Sequence, residues 1–400
     1  MTPALSRRAL LASAPALLLR ASEPVHSPAE LAAAAKLAKP GETILLADGI
    51  WTDTDLAFEA HGAEGKPVTV RAATPGKVIL TGQSRLRFAG EWIAVEGLLF
   101  RDCQTTKDLI DFRLTPGNHA FHSRLSHCAV VDCSPLNGEV VTRWISIYGS
   151  GNEVSRCCVE GKRNSGPSMV VWLNGEPNRH VIRGNHFGPR PPLGRNGGET
   201  IRVGDSNTSM QDSRTLVTAN WFDRCDGETE VISNKSCGNE YRGNLFESCQ
   251  GTLTLRHGNR CRVEGNVFLG HGAKNTGGIR VIGEDHVVDG NYLEGLRGTG
   301  FRAAVAVING LPDSPLNGYY QVKRAVVRNN TMVDCTEGVR VGMNGGNSKL
   351  VLAPLDVVVE GNRELSAAGR GSASAPGFDR TATGPAWYMG PAWHSGGWQG

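Results

Sequence analysis

The sequence contains few aromatic residues and no long apolar segment. Phe, Trp and Tyr make up 6% of the 400 residues, and no apolar run approaches the roughly 18 residues that a membrane helix requires. The 42 Lys and Arg residues exceed the 39 Asp and Glu residues by only 3. The net charge alone therefore does not indicate a polyanionic ligand. Glycine is abundant, at 51 residues, and this composition favours many short strands joined by tight turns.

The N-terminus has the form of an export signal. Arg7 and Arg8 precede an apolar stretch that ends at Leu19, as in a twin-arginine signal. The apolar stretch is too short to cross a bilayer. A disordered basic tail is the alternative interpretation. We predict that residues 1–26 direct export to the periplasm or the medium, with cleavage near residues 21–26.

A recurring phrase predicts the fold. It combines a β-branched strand, Gly-Asn or an equivalent pair, and a second apolar strand. The repeated asparagines are Asn185, Asn220, Asn244, Asn266, Asn291, Asn330 and Asn362. Their shortest intervals are 22 to 25 residues, which predicts an all-β protein, a single right-handed parallel β-helix with one coil per repeat. A β-propeller is disfavoured because its blades need about 40 residues. We expect Asn and Gly to adopt left-handed conformations that bend one sheet into the next.

The composition divides the chain into three parts. After the signal, residues 27–365 form the predicted β-helix, and residues 366–400 form a tail rich in Gly, Ala, Pro and Trp. Residues 27–39 have a helical composition, so we predict an N-terminal helical cap over the open end of the solenoid. We expect the tail to be irregular and partly disordered. Its tryptophans would either stack on sugars or pack against the β-helix.

The ten cysteines recur at nearly the same interval as the asparagines. The pairs that lie 24 or 25 residues apart are Cys103 and Cys128, Cys133 and Cys157, Cys225 and Cys249, and Cys237 and Cys261. Small thiols that stack between successive coils suit a solenoid interior without any bond. We predict mostly free, stacked cysteines, with one or two disulfides as the alternative in an exported protein.

Alternation of apolar and polar residues predicts an outward-facing stripe of arginines. Its members are Arg202, Arg256, Arg280, Arg302 and Arg340, of which Arg302 fits the pattern least well. Coils stack about 4.8 Å apart, which predicts guanidinium groups at that spacing along one face. Bidentate arginine suits carboxylate or sulfate groups. Arginines scattered over a solvated surface are the alternative.

Acidic residues and a lysine fall on the same face. Glu228 and Glu230 lie two residues apart on one side of a strand, and Asn196 has a similar position in the preceding coil. Two carboxylates and an amide oxygen suit Ca²⁺, although neighbouring arginines offer an alternative way to neutralise the glutamates. Lys235 follows on this face as a candidate proton acceptor. A solvated surface lysine is the alternative there.

Four stretches of sequence resemble the chondroitinase B-like lyases, polysaccharide lyase family 6, which also contains many alginate lyases. The stretches are residues 40–51, 190–202, 228–236 and 255–258. The resemblance extends from about residue 27 to residue 364. It implies that Asn196, Glu228 and Glu230 bind Ca²⁺.

The same resemblance implies β-elimination at a uronic acid. Lys235 would remove the proton at C5, and Arg256 would assist the leaving 4-oxygen with His257 beside it. Arg202, Arg280, Arg302 and Arg340 would bind the polymer. A glycoside hydrolase is disfavoured, because Glu228 and Glu230 are too closely spaced to lie across a glycosidic bond.

The expected partner is an acidic polysaccharide. Residues 191–202 look more like the alginate-cleaving members of the family than the dermatan-cleaving ones. A dermatan sulfate lyase and a non-catalytic polysaccharide-binding β-helix are the alternatives. We expect a monomer that binds no nucleic acid and has no membrane span.

Overall fold

The computed structural model of the protein describes residues 23–371 and 373–388. Nearly all of the predicted export signal therefore lies outside the described residues, as do Trp393 and Trp398 of the tail. Three parallel sheets run along the described chain, and each coil adds one strand to each of them. The predicted all-β parallel β-helix is confirmed. Among the described residues, no helix is both long and apolar enough to span a membrane.

We number the sheets 1 to 3. Sheet 1 has 12 strands: Thr43–Leu46, Val68–Ala72, Ile93–Glu96, Arg124–Ser126, Glu153–Ser155, Val181–Arg183, Leu216–Thr218, Glu240–Arg242, Arg262–Glu264, Val287–Asp289, Val326–Arg328 and Val358–Glu360. Sheet 2 has 13 strands: Asp55–His61, Arg85–Glu91, Ile110–Asp111, Arg113–Thr115, Asn118–Phe121, Ile145–Ile147, Met169–Val171, Ile201–Gly204, Glu230–Lys235, Thr252–His257, Ile279–Val281, Val305–Ile308 and Val339–Met343. Sheet 3 has 12 strands: Gly49–Thr52, Val78–Gly82, Leu98–Cys103, Ala129–Val131, Cys158–Glu160, His186–Phe187, Trp221–Asp223, Leu245–Glu247, Val267–Leu269, Tyr292–Glu294, Thr331–Val333 and Arg363–Leu365.

The predicted N-terminal helix is present and spans Pro28–Leu37. The Ser27 side chain accepts a hydrogen bond from the backbone N–H of Glu30, which caps the first turn. Leu31 and Ala35 are buried, and the helix packs against the strand Asp55–His61. Two short 3₁₀ helices, Gly300–Arg302 and Arg380–Ala382, complete the helical elements of the described residues.

The repeated asparagines form a hydrogen-bonded ladder in the turns between sheets 1 and 3. From Asn185 to Asn362, each Oδ1 accepts both the backbone N–H and the side-chain N–H of the preceding asparagine, at 2.8–3.0 Å. The left-handed conformation falls on the residue before the asparagine, as at Gly184 (φ +61°) and Ala219 (φ +52°). The expectation of left-handed asparagines was therefore wrong. Their amides instead satisfy backbone groups that the turn would otherwise leave unpaired.

Asn266→Ala should lower the free energy of unfolding by about 2–4 kcal/mol. The substitution removes the acceptor of two N–H groups of Asn244 and the donor to Asn291, and each buried group left unpaired costs about 1–3 kcal/mol. Urea unfolding followed by circular dichroism measures the loss. Asn362→Ala is the control, because Asn362 is half-buried at the end of the ladder and water can replace its amide. Equal losses in the two variants would show that the ladder contributes little.

Aromatic rings also stack inside the coils. Phe187, Phe222, Phe246 and Phe268 occupy successive strands of sheet 3, with ring centroids 4.4–4.9 Å apart and nearly parallel planes. Offset stacking of this kind adds to the stabilisation from burial. The low aromatic content of the chain is thus concentrated where coils meet.

All ten cysteines are free, and nine of them are buried. Two contacts between successive coils match free stacking: the backbone N–H of Cys103 points at Cys133 Sγ, and that of Cys225 points at Cys249 Sγ. Free thiols are therefore as predicted. The pairing of Cys103 with Cys128 was wrong, because the coil that follows Cys103 is 30 residues long rather than 24 or 25.

Candidate active site

The outer face of sheet 2 carries the predicted arginines. One row of equivalent positions on successive coils consists of Arg202, Ser233, Thr254, Arg280, Ala306 and Arg340. Three coil steps separate Arg202 from Arg280 and two separate Arg280 from Arg340, about 14 and 10 Å at the spacing of parallel strands. The expected spacing of one arginine per coil was wrong, because small side chains occupy the coils between.

Arg302 lies outside this row. It ends the 3₁₀ helix Gly300–Arg302, ahead of the strand Val305–Ile308. Its side chain lines a cavity of about 450 Å³ together with Asn196 and Glu228. The structure therefore places Arg302 beside the predicted calcium ligands and not in line with Arg280.

Glu228 lies in the turn that leads from sheet 3 into sheet 2. Its Oε2 accepts hydrogen bonds from the backbone N–H groups of Gly197 at 2.8 Å and Gly198 at 3.3 Å. Burial, with the negative charges of Glu199 and Glu230 nearby, raises the pKa of Glu228 to about 7. Within the described part of the chain, Glu228 forms no ion pair. The cavity thus holds negative charge that a bound cation would stabilise.

Glu230 has a different environment from Glu228. Its carboxylate forms an ion pair with Arg280 and accepts a hydrogen bond of 2.5 Å from the Ser233 hydroxyl. Arg256 Nε lies 3.9 Å from the same carboxylate. Neutralisation by arginine, the alternative left open by the sequence, therefore applies to Glu230 but not to Glu228. It also buries Arg280, which is only 5% exposed.

Glu199 was not among the residues predicted from the sequence. Its side chain is 2% exposed, and Oε2 has no hydrogen-bond partner among the described residues. A buried carboxylate oxygen without a donor is unusual. Glu199 also contributes to the raised pKa of Glu228. Together with Asn196, Glu228 and Glu230 it forms an oxygen-rich set that fits Ca²⁺. The glycine pair that precedes it is the one sequence signal that marks this tight turn.

Lys235 ends the strand Glu230–Lys235. Its neighbour on the next coil is His257, and the register shifts by one residue just before this pair. Such a bulge changes the direction in which side chains project. Among residues 23–371 and 373–388, the Lys235 amine makes no hydrogen bond and no ion pair. A half-buried amine without a partner beside the acidic cluster is available to accept a proton.

Arg256 is held from the far side of the groove by the loop that follows Val305–Ile308. Its guanidinium donates hydrogen bonds to the carbonyl oxygens of Gly318 at 2.6 Å and Asn317 at 3.2 Å. The guanidinium carbon also lies 4.2 Å from the centre of the Tyr319 ring. This loop residue was missed, because its contact with Arg256 spans more than 60 residues of sequence.

His257 supports Arg256 directly. Its Nε2 lies 3.0 Å from Arg256 Nη1. Burial, together with the positive charges of Arg256 and Lys235, lowers the pKa of His257 to about 4. The ring is therefore neutral near pH 7, and its Nε2 accepts a hydrogen bond from the guanidinium. Lys235, Arg256 and His257 thus form one group.

Aromatic rings extend the face beyond Arg202. The Arg202 guanidinium lies 5.1 Å from the centre of the Trp172 ring, which stacks on Tyr148 with centroids 5.9 Å apart. Each of these aromatic residues directly follows a strand of sheet 2. Flat rings beside arginine suit contact with a sugar chain. They were not predicted, because neither residue lies in the recurring phrase.

A second group of metal-ligating side chains lies on sheet 3. It consists of Cys158, Glu160 and His186, whose ligand atoms lie within 4.8 Å of one another. This group was not predicted from the sequence. Its thiol and imidazole distinguish it from the oxygen-rich set beside sheet 2.

Comparisons with known proteins agree with this site. A family model described as Chondroitinase B matches residues 25–361. The alginate lyase AlyGC, of the PL6 family, is 46% identical with a TM-score of 0.81, over 83% of this chain and 46% of AlyGC. A mannuronic acid specific polysaccharide family 6 lyase from human gut microbiota is 33% identical with a TM-score of 0.76, over 85% of this chain and 81% of that enzyme. A PL6 alginate lyase solved with a trisaccharide is 25% identical with a TM-score of 0.76, over 90% of this chain and 80% of the other. A comparison with curated proteins gives no match.

The fold and the outward site on sheet 2 are those of the β-helical polysaccharide lyases. The chain belongs to the chondroitinase B family, polysaccharide lyase family 6, as the resemblance in its sequence implied. It spans about half the length of AlyGC.

Proposed function

We propose that the protein is a lyase that cleaves alginate by β-elimination at uronate residues. The observation that carries the proposal is the partnerless Lys235 amine beside the Arg256–His257 pair. A base next to a fixed hydrogen-bond donor is what an elimination requires. The alginate lyases among its relatives support this choice of reaction.

The residues divide the reaction between them. Lys235 Nζ accepts the proton from C5, the electron pair left behind forms the C4–C5 double bond, and the bond from C4 to the glycosidic oxygen breaks. Arg256 donates hydrogen bonds to the departing oxygen, and neutral His257 orients the guanidinium. The new non-reducing end is a 4,5-unsaturated sugar.

A cation addresses the second requirement, which is neutralisation of the uronate carboxylate so that C5 becomes acidic. Ca²⁺ held by Asn196, Glu228 and Glu230 supplies positive charge opposite that carboxylate when bound. Arg280 is paired with Glu230 and so keeps that side of the groove neutral. Arg202 lies on the same row of sheet 2 and offers a further contact for carboxylate.

Alginate is the favoured substrate over dermatan sulfate. Support comes from residues 191–202, which line part of the cavity at Asn196, and from the two alginate lyases named above. Ultraviolet absorbance of the unsaturated product, recorded with each polymer, tests the proposal. We expect product from alginate alone. Product from dermatan sulfate alone would assign the alternative substrate, and binding without product would assign a non-catalytic role.

We propose further that the protein is exported, as predicted from residues 1–26. Export would bring the enzyme to a polymer too large to enter the cell intact. Fractionation of expressing cells, with the enzyme assayed in each fraction, tests this. Replacement of Arg7 and Arg8 by Lys should retain the protein in the cytoplasm.

Chelation should abolish activity, and Ca²⁺ should restore it better than Mg²⁺. The proposed ligands are oxygen atoms on a turn and a strand, whereas Mg²⁺ demands a tight octahedron and gives up water reluctantly. Initial rates after exhaustive chelation and stepwise addition of each ion measure the effect. Glu228→Gln, which keeps the volume of the side chain, should need far more Ca²⁺. Full activity in a protein shown to be metal-free would leave the glutamates with an ion-pairing role only.

Arg340→Ala should raise KM about 3- to 10-fold with little change in kcat. Arg340 is half-buried at the far end of the arginine row, so it would bind substrate and transition state equally. Its contribution should weaken as ionic strength rises, since exposed charges are screened over about 8 Å at 0.15 M. The control is Arg328→Ala in the same coil on sheet 1, where Arg328 pairs with Asp289. If KM were unchanged in both variants, the groove would not extend to Arg340.

A further inference from the structure

Sheet 3 carries a cluster of three metal-ligating side chains on its outer face. Cys158 and Glu160 are two residues apart on one strand, so both project to the same side. His186 lies on the next coil, and its Cα is paired with that of Cys158. All three are buried, with exposures of 2%, 7% and 1% for Cys158, Glu160 and His186. Strand pairing therefore fixes the positions of the three ligands.

The distances within the cluster fit a tetrahedral ion. Cys158 Sγ lies 3.7 Å from His186 Nδ1. A zinc ion bonded to sulfur at about 2.3 Å and to nitrogen at about 2.0 Å would hold these two atoms about 3.5 Å apart. The Glu160 carboxylate lies within 4.8 Å of both. Only small movements would bring the three atoms into one coordination sphere.

The surroundings hold these side chains in place. The His186 ring stacks on Trp221 with centroids 4.3 Å apart, which fixes its orientation. The Tyr388 hydroxyl donates a hydrogen bond of 2.7 Å to Glu160 Oε1. Gly188 packs so closely that a Cβ there would lie 2.7 Å from the Glu160 side chain. Partners that orient first ligands are a common feature of metal sites.

The C-terminal segment, residues 384–388, covers the cluster. Its Gly384 N–H donates to the Gly184 carbonyl at 2.9 Å. The Trp387 indole N–H donates to the His127 carbonyl at 2.9 Å, and its ring occupies the space beside Gly76. Tyr388 then reaches Glu160. The cluster is thereby joined to both the β-helix and the chain end.

We propose that Cys158, Glu160 and His186 bind one transition-metal ion of the zinc class, which fastens the C-terminal segment to sheet 3. A thiolate, an imidazole and a carboxylate together suit zinc and disfavour Ca²⁺. On binding, the Cys158 thiol releases its proton to solvent and the thiolate sulfur bonds to the metal. No electron is transferred, and the fourth coordination position is left to water.

The apo cluster is expected to be neutral. Burial raises the pKa of the Cys158 thiol and that of the Glu160 carboxyl. Binding should therefore release protons and strengthen as pH rises. A site of this kind is independent of the chemistry proposed for sheet 2, since it shares no residue with the groove.

Metal content and a cobalt spectrum test the site. The full chain, purified without a histidine tag and stripped by chelation, is incubated with Zn²⁺, desalted and analysed by mass spectrometry. We expect about one equivalent of zinc. Replacement by Co²⁺ should give a thiolate-to-cobalt charge-transfer band in the near ultraviolet. Zinc that is not retained, or a cobalt complex without that band, would overturn the proposal.

Variants separate this site from the groove. Cys158→Ser should lose the band and the tightly held zinc, whereas Cys249→Ser, which removes a stacked core thiol, should keep both. Zn²⁺ should raise the thermal midpoint of the wild type and not that of Cys158→Ser, since an ion that binds only the folded state stabilises it. If Cys158→Ser does not fold, His186→Gln provides the second test, with a weakened band expected. Equal zinc retention in the wild type and in a folded variant would overturn the proposal. Lyase assays are not needed for any of these readouts, so failure of the proposed function would be recognised separately.

Discussion

Lys235→Ala should lower kcat on alginate roughly 1000-fold while leaving the fold intact. A positioned general base contributes about 10²- to 10⁴-fold to the rate, and the Lys235 amine has no other partner in the described chain. Because the amine forms no contact, its loss should change the free energy of unfolding by no more than about 0.5 kcal/mol. Initial rates from product absorbance and a thermal melt together measure both effects.

Two further variants separate the base from its charge. Lys235→Arg keeps the positive charge but cannot act as a base near pH 7, and it should be nearly as inactive as Lys235→Ala. Lys274→Ala removes an exposed lysine from the turn before the strand Ile279–Val281 and should retain the full rate. A Lys235→Ala enzyme that kept more than a few per cent of the wild-type rate would remove Lys235 from the chemistry.

Arg256→Ala should lower kcat roughly 100- to 1000-fold. Loss of one fixed donor to a developing negative charge costs about that factor in other enzymes. Arg256 also holds the loop at Gly318 through hydrogen bonds, so some loosening of the loop is expected as well. Steady-state kinetics with defined oligosaccharides would separate a fall in kcat from a rise in KM. Arg256→Lys should restore little, since a lysine cannot donate in two directions from a rigid plane.

Tyr319→Ala is the matched control for the second role of Arg256. It removes the ring under the guanidinium but leaves both carbonyl acceptors in the backbone. We expect a rise in KM and a small effect on kcat. If Arg256→Ala and Tyr319→Ala had the same kinetics, Arg256 would serve to hold the loop and the leaving oxygen would need another donor.

Local regularity accounts for the features that the sequence predicted. The asparagine interval reflects the length of one coil, and alternation along a strand decides which side chains leave the core. These two rules place Glu230, Lys235 and Arg202 on sheet 2, as expected. Both rules act within a coil or between neighbours, and neither depends on loop length.

Contacts across several coils were not predictable in this way. The ion pair of Arg280 with Glu230 spans 50 residues, and it forms because their strands are separated by only one other, Thr252–His257. Arg302 left the arginine row because residues 300–302 form a 3₁₀ turn instead of extending the strand. The loop that carries Tyr319 folds back from a later coil over Arg256. Each case depends on an insertion whose path is set by packing rather than by the repeat.

The asparagine ladder and the arginine row lie on different sides of every coil. The ladder closes the turn between sheets 1 and 3, so the rise from coil to coil is fixed without any help from sheet 2. Evolution or a protein engineer can therefore duplicate a whole coil and lengthen the groove by about 4.8 Å, roughly one sugar unit, without redesigning the reaction centre. In such an architecture, the size of the product becomes a matter of counting modules, much as the reach of a ruler depends on how many divisions it carries.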